Sequence, residues 1–297
     1  MAMVDILLRS IAAFAVCVLG TATVGAAEIR ADQSHTATAG AVLEGKIEAG
    51  DFDKFKSFIL NGDNPVEIYL ASPGGDLSEA MKIGLLVRIL KLSTVVPSKA
   101  LTNQSRDLAV TRHNLKNPNA DYLCTSACFF IFVAGIRRSS DELGPAILGI
   151  HRPSISDSDL RKLSLDQATA AEDRTRTAIE NYLQVMDVPA KYAEDMYSVP
   201  KGKIQWIRND EFDKDFAGFI PELSDSVKAR CGSRSDVEKK NSEQLSVMSM
   251  KKDEAQLNCE KHFQNELALG AYDNALKRRN GEIPQSTVGT TSPTLPK

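Results

Sequence analysis

Three short segments hold the residues best suited to nucleophilic chemistry. Ser126 opens the most apolar stretch of the chain, and His151 follows a short apolar stretch and precedes Arg152-Pro153. A serine hydroxyl attacks a carbonyl at neutral pH only when a base takes its proton, and histidine is the usual base. The third segment is the turn at Gly74-Gly75, where the missing side chains let backbone N–H groups approach a ligand. Together these segments indicate acyl-transfer chemistry.

Each segment taken alone also has an ordinary structural interpretation. A serine before an apolar run is most often a helix cap, and an isolated Pro-Gly-Gly is usually a tight turn. A lone histidine at the end of a strand is more often a hydrogen-bonded structural residue than a base. His35 and His262 lie in polar segments and are not candidates for a cleft. Only the combination of Ser126, His151 and the glycine turn favours a catalytic site.

The elements expected to position these segments alternate between strands and helices. Strands are predicted at 41–47, 66–70, 93–97, 147–150 and 205–207, and helices at 51–60, 76–92, 160–186 and 188–197. This alternation predicts an α/β fold with one mainly parallel sheet flanked by helices. Asp76 and Glu79 have the spacing of a capping box at the start of the second helix. Residues 124–135 are compatible with a buried helix or a buried strand, and the polar residues 98–121 are expected to form an insertion or lid.

The three motifs occur in an order that resembles a known family. They are the turn Ser72-Pro73-Gly74-Gly75 after a strand, the run Cys124-Thr125-Ser126-Ala127-Cys128, and Ile150-His151-Arg152-Pro153. This order is similar to that of the Clp protease proteolytic subunit, which shares its fold with crotonase. The closer likeness is to an exported branch that carries Cys-x-Ser-Ala-Cys around the serine. The resemblance extends from about Leu43 to Pro221.

The resemblance implies a fold, a reaction and a set of site residues. The fold would consist of repeated ββα units, followed here by a helical C-terminal extension. Ser126 would be the nucleophile and His151 its general base, and the N–H groups of Gly75 and Ala127 would form the oxyanion hole. The family's third residue, an aspartate, has no clear match, and Asp195 is the nearest candidate. The substrate would be a peptide or an unfolded protein; a catalytically inactive module that binds peptides or protein partners in the same cleft is the alternative.

The N-terminus has the pattern of a secretory signal peptide. A charged head ending at Arg9 is followed by an uncharged apolar stretch and a small-residue exit at Ala26-Ala27. The sequence therefore predicts a periplasmic or secreted protein; a retained anchor with weak membrane association is the alternative. The predicted organisation is a signal peptide (1–27), a linker (28–40), the α/β domain (41–222), a helical extension (223–279) and a disordered tail (280–297).

Composition and cysteines limit the remaining classes of function. A net charge of −3 gives no basic field for nucleic acid. Four histidines, with neither paired-cysteine zinc spacing nor His-Glu-x-x-His, predict no metal site, and no cofactor is expected. Cys231 and Cys259 are the expected disulfide, whereas a bridge between Cys124 and Cys128 is expected to be unfavourable because i,i+4 cysteines on a helix seldom have the required geometry. Homo-oligomerisation is left open.

Overall fold

The computed structural model describes residues 26–32, 39–61, 64–99, 102–141, 145–154, 161–232 and 247–280. Most of the predicted signal peptide and nearly all of the predicted C-terminal tail lie outside these residues. Within the described ranges, no helix is both long enough and apolar enough to cross a membrane.

The described residues form a mixed α/β architecture. The strands are β1 (Glu28–Ala31), β2 (Gly40–Glu44), β3 (Glu67–Ala71), β4 (Ser93–Val96), β5 (Cys124–Thr125), β6 (Arg137–Ser140), β7 (Leu148–Ile150), β8 (Gln205–Trp206) and β9 (Gly218–Phe219). The helices are α1 (Asp51–Asn61), α2 (Leu77–Ile89), α3 (Asn103–Arg112), α4 (Pro118–Asp121), α5 (Ala127–Phe132), α6 (Leu165–Val185), α7 (Lys191–Ser198), α8 (Asn209–Asp215), α9 (Pro221–Cys231) and α10 (Val247–Arg279).

The strands belong to two sheets rather than the single sheet that the sequence predicts. Six strands form one sheet in the order β1-β2-β3-β4-β6-β9. Its four central strands are parallel, and the edge strands β1 and β9 are antiparallel to their neighbours. The second sheet has the order β5-β7-β8, with β5 parallel and β8 antiparallel to β7. The α/β class is therefore confirmed, and the single-sheet prediction is wrong.

A short link between the sheets brings the sequence motifs together. Ser72, just after β3, forms an isolated parallel bridge with Cys124 at the start of β5. The Ser72 N–H donates to the Leu123 carbonyl at 2.8 Å, and the Thr125 N–H donates to the Ser72 carbonyl at 3.1 Å. Because β3 leads into the glycine turn and β5 leads into Ser126, this pairing places the two motifs side by side.

The two faces of the large sheet bury different sets of residues. Ile68 and Leu70 of β3 face the main core, which includes the whole of α5, whereas Tyr69 between them faces a smaller cluster on the other side. This alternation follows from the period of two in a strand. Ala109 of α3 belongs to the smaller cluster. The segment 98–121 was predicted to be an insertion or lid. Its described apolar residues Ala109, Val110 and Leu115 pack on the second face, and none of its described residues lines the cavity discussed below.

Gly84 allows the helices behind the site to approach closely. It lies in α2, where a Cβ atom would collide with the Tyr182 hydroxyl and would come within 2.9 Å of the Phe130 carbonyl oxygen. The Tyr182 hydroxyl, on α6, donates to that carbonyl at 2.7 Å, so α2, α5 and α6 meet at one point. Burial of this phenol raises the pKa of Tyr182 far above its ordinary value, which keeps it a neutral donor.

The predicted linker at 28–40 is wrong for its first residues. Residues 28–31 form β1, which pairs antiparallel with β2. Ile29 packs against the main core, and the Arg30 guanidinium makes an ion pair with Glu44 at 2.8 Å. The segment has only one large apolar residue, so its sequence does not show the alternation that identifies a strand. Its pairing partner and a buried carboxylate stabilise it instead.

The C-terminal helices α9 and α10 pack on the α/β domain. The structure joins Cys231 to Cys259, which connects α9 to α10. On α10, Ala268 and Tyr272 are buried in the main core. The Tyr272 hydroxyl donates to the Pro65 carbonyl at 2.8 Å. The helix α10 therefore shares the hydrophobic core of the α/β domain.

Candidate active site

Ser126 occupies a sharp turn between β5 and α5. Its backbone has φ 59° and ψ −125°, a conformation that a non-glycine residue seldom adopts. Its side chain makes no capping hydrogen bond to α5, so the helix-cap interpretation of this serine is wrong. The Ser126 N–H donates to the Gly149 carbonyl at 3.1 Å, which ties the turn to β7. Ser126 lines a large cavity.

The glycine turn packs directly against Ser126. Gly74 has φ 95°, and a Cβ atom there would lie 2.5 Å from the Ser126 Cβ and 2.8 Å from the Ala127 nitrogen. Gly75 has φ 143°, and a Cβ atom there would collide with the Ile47 carbonyl. The Ile47 N–H donates to the Gly74 carbonyl at 2.8 Å, and the Ile47 carbonyl accepts from the Asp76 N–H at 2.8 Å. Both glycines are therefore required by close contacts as well as by backbone conformation.

The predicted oxyanion donors both lie at the cavity. Gly75 and Ala127 line it. Neither N–H donates to a backbone carbonyl or a side chain within the described part of the chain. Fixed N–H groups without an internal acceptor are what a developing oxyanion requires. Because α5 has only six residues, this argument depends on the two individual N–H groups and not on a helix dipole.

His151 lies beside the same cavity with one ring nitrogen already engaged. Its Nδ1 lies 2.7 Å from the Arg152 carbonyl oxygen. Because a carbonyl can only accept, Nδ1 carries the hydrogen and Nε2 is left as the acceptor in the neutral ring. No hydrogen bond joins the imidazole to Ser126 in the described structure. Such bonds often form only when substrate binds. The tautomer is nevertheless the one that a general base needs.

No hydrogen bond or ion pair joins Asp195 to His151 within the described ranges. It lies on α7, partly buried, and its carbonyl accepts from the Ser198 hydroxyl at 2.7 Å. The next two residues, Met196 and Tyr197, line the cavity, but Asp195 does not. The group that orients the imidazole is therefore the Arg152 carbonyl. No side-chain pattern in the sequence could have revealed it, because every residue has a carbonyl.

The cavity has a volume of about 990 Å³ and brings the candidate residues together. Its apolar lining comes from several elements and comprises Leu77, Met81, Phe130, Ile150, Met196 and Tyr197. Arg152 and Glu172 form an ion pair at 2.8 Å and also line it, together with Lys46. Burial raises the pKa of Tyr197 to about 12, so this tyrosine remains neutral. The arrangement can accept a mostly apolar chain with polar groups at its edge.

The structure joins Cys124 to Cys128, contrary to the expectation from sequence. That expectation assumed that both cysteines lie on one helix. Cys124 is instead in β5 and Cys128 is in the first turn of α5, and the reversal at Ser126 brings their Cα atoms to 5.3 Å. This separation lies within the ordinary range for disulfides. The nucleophile candidate is thus enclosed by a crosslink.

Comparison with known proteins adds little to this geometry. No protein-family model and no curated protein matches the chain. Among solved structures, it is similar to a serine-to-alanine mutant of the 1510-N membrane-bound stomatin-specific protease. The identity is 18%, the TM-score is 0.37, and the match covers 63% of this chain and 81% of the other. A similarity at this level carries no argument, so the functional conclusion depends on the site itself. Within the described ranges, no cluster of three or more His, Cys, Asp or Glu side chains could hold a metal ion.

Proposed function

We propose that the protein is a serine hydrolase that acts by acyl transfer from Ser126. The observation that carries the proposal is the convergence of Ser126, in its rare backbone conformation, with the N–H groups of Gly75 and Ala127 at one cavity. His151 lines this cavity and has Nε2 as its acceptor nitrogen. A nucleophile, a base and two oxyanion donors define the reaction class.

The reaction follows from these roles. Nε2 of His151 takes the hydroxyl proton as Ser126 Oγ bonds to the substrate carbonyl carbon. The oxygen of the tetrahedral intermediate accepts hydrogen bonds from Gly75 and Ala127. His151 then returns the proton to the leaving group as the bond to it breaks. Water, deprotonated by the same imidazole, releases the acyl group and restores the serine.

The proposed substrate is an extended peptide or an unfolded protein segment. An apolar cavity of about 990 Å³ that has charged groups in its lining suits such a chain. The ordered motifs resemble those of the Clp protease proteolytic subunit and its crotonase-like fold, and they support peptide as the substrate class. We further propose that residues 1–27 direct export to the periplasm or outside the cell. The disulfides Cys124–Cys128 and Cys231–Cys259 support this, because such bonds persist in oxidising compartments.

Labelling with a fluorophosphonate tests the nucleophile directly. The serine oxygen bonds to phosphorus, fluoride leaves and the base takes the proton, so only an activated serine reacts. We expect Ser126→Ala to abolish labelling and His151→Ala to slow it by about 10²–10⁴-fold. Ser78→Ala is the matched control, because Ser78 lines the same cavity. Its labelling should equal that of the wild type. A folded wild type that does not react would refute the hydrolase assignment.

A binding module is the second candidate function. It is favoured by the absence, among the described residues, of a hydrogen bond between Ser126 and His151 and of a carboxylate bonded to the imidazole. Leu165 lines the cavity and is 82% exposed, so Leu165→Glu should leave the fold intact. An unlabelled wild type that binds apolar unstructured peptides, with affinity reduced in Leu165→Glu, would establish binding as the function.

A further inference from the structure

The disulfide between Cys124 and Cys128 encloses the turn that presents Ser126. Cys124 lies in β5 and Cys128 in α5, and only three residues separate them. Both cysteines are fully buried in the main core. The crosslink therefore joins the two elements on either side of the proposed nucleophile.

The turn is one that needs an external constraint. A non-glycine residue in so sparsely populated a conformation persists only when surrounding contacts over-determine it. Here Ser126 makes two backbone hydrogen bonds: its N–H donates to the Gly149 carbonyl at 3.1 Å, and its carbonyl accepts from the Phe129 N–H at 3.0 Å. The Thr125 hydroxyl adds a bond to the Pro73 carbonyl at 3.0 Å. The helix that follows has only six residues, so its internal hydrogen bonds do little to hold the turn.

We propose that Cys124 and Cys128 are positioning residues for the hydrolase reaction, and that their crosslink keeps Ser126 Oγ and the Ala127 N–H aimed into the cavity. This inference rests on the proposed function. It assigns the bridge a role beyond stability, because the bridge fixes the backbone on both sides of the reacting oxygen. Catalytic geometry tolerates displacements of well under 1 Å before rates fall.

The second disulfide of the chain provides a matched comparison. Cys231 and Cys259 are 28 residues apart and join α9 to α10, and neither residue lines the cavity. A crosslink that closes a longer loop restricts the unfolded chain more. The tail disulfide should therefore contribute more to the stability of the fold, and the Cys124–Cys128 disulfide more to the reactivity of Ser126. If both disulfides had a purely structural role, the variant that lost more stability would also lose more Ser126 labelling.

Two double variants test whether the two disulfides differ in this way. Cys124→Ala/Cys128→Ala should slow fluorophosphonate labelling by about 10–100-fold, at a temperature well below its unfolding midpoint. Cys231→Ala/Cys259→Ala should label within about twofold of the wild type while its denaturation midpoint falls further. The proposal is overturned if the first variant is folded and labels at the wild-type rate, or if its labelling falls only in proportion to the unfolded fraction.

If the first variant does not fold, chemical reduction of the folded protein provides a second test. A trialkylphosphine reduces each bridge to two thiols, and the phosphine becomes its oxide with oxygen taken from water. In the Cys231→Ala/Cys259→Ala background, Cys124–Cys128 is the one bridge left to reduce among the described residues. Labelling should fall on reduction and return on reoxidation. Labelling that is unchanged after thiol titration confirms reduction would overturn the proposal.

Amide hydrogen exchange separates failure of this inference from failure of the proposed function. Exchange at Ser126 and Phe129, whose N–H groups are hydrogen-bonded at the turn, should accelerate on reduction while exchange in the central strands β3 and β4 stays slow. If the wild type does not label at all, the hydrolase assignment fails, and exchange alone decides whether the crosslink holds the turn. Unchanged exchange at these two amides, or a uniform increase across the sheet, would contradict the positioning role.

Discussion

At the scale of single residues, Gly74 is a position where the site tolerates little change. A methyl group there would lie 2.5 Å from the Ser126 Cβ and 2.6 Å from the Thr125 carbonyl oxygen. Gly74→Ala should therefore displace the Ser126 turn, abolish labelling and lower the free energy of unfolding by about 2–4 kcal/mol. Labelling kinetics and chemical denaturation would measure both effects.

Gly218→Ala is the matched control for this substitution. Gly218 has φ 94°, against 95° for Gly74, but nothing lies within 4 Å of a Cβ atom there. The backbone strain is thus nearly the same, about 1–2 kcal/mol, and the steric collision is absent. Equal losses of stability in the two variants, with labelling retained in both, would show that the contact with Ser126 does not matter.

The candidate site residues were visible in the sequence because side-chain identity reveals them. Ser126, His151 and the glycine turn form a recognisable set, and the structure brings all three to one cavity. The groups that hold Ser126 and His151 were not visible, because the carbonyls of Gly149 and Arg152 act through the backbone. Which carbonyl meets which ring is determined by strand pairing and not by residue type.

At the scale of helices and strands, Glu79 shows how tertiary contacts change a local signal. Asp76 and Glu79 were predicted to form a capping box, and half of it is present, since the Asp76 carboxylate accepts from the Glu79 N–H at 2.9 Å. The other half is wrong. The Glu79 carboxylate accepts instead from the N–H groups of Gly50 and Phe52, at 3.1 and 2.9 Å. It therefore caps α1 from α2 and joins the two helices.

Glu79→Gln should lower the free energy of unfolding at neutral pH. It should also make that free energy fall less as the pH is lowered. Burial raises the pKa of Glu79, but hydrogen bonds from Lys82 and the α1 amides outweigh it, so the net pKa lies below the ordinary value of 4.5. The carboxylate thus stabilises the fold above about pH 4.5, and this contribution is lost as pH falls through the folded-state pKa. We expect a loss of about 1–2 kcal/mol at pH 7, measured by urea denaturation between pH 3 and pH 7.

The control for this substitution is Glu48→Gln. Glu48 is partly exposed and its carboxylate is 3.6 Å from the Lys46 amine, so its ion pair is worth about 0–1 kcal/mol. Its variant should follow the wild-type acid curve. If Glu79→Gln also follows that curve, the carboxylate does not join the helices energetically.

Elements with a clear hydrophobic pattern were predictable, and those stabilised by distant partners were not. β3 and α2 were predicted within a few residues. β6 consists of Arg137–Ser140 and has no apolar residue. It is nevertheless paired on both sides, with β4 and with β9, and its Arg138 is buried with the guanidinium donating to the Gly135 carbonyl. Burial lowers the pKa of Arg138 to about 9. A buried arginine in a polar strand gives no signal of strand periodicity.

At the scale of the whole molecule, the C-terminal helix α10 is packed into the α/β domain. Tyr272 is 3% exposed, and its hydroxyl donates to the carbonyl of Pro65, more than 200 residues earlier. The sequence predicted the helix but not its contact, because a polar helical segment gives no indication of where it packs. The domain and its extension should consequently unfold together.

Tyr272→Phe tests this cooperativity, because it removes the buried bond to Pro65 without changing the packed ring. Burial raises the pKa of Tyr272, so the neutral hydroxyl is the donor that is lost. We expect the free energy of unfolding to fall by about 1–2 kcal/mol.

Trp206, the one tryptophan of the chain, lies on β8, so its fluorescence reports on unfolding of the α/β domain. Its fluorescence transition should move to lower denaturant concentration in Tyr272→Phe. It should not do so in Tyr197→Phe, since the buried Tyr197 hydroxyl has no hydrogen bond to lose among the described residues. A Trp206 transition that ignores Tyr272→Phe, while α10 melts earlier by circular dichroism, would mean that the extension unfolds separately and contributes nothing to the stability of the site.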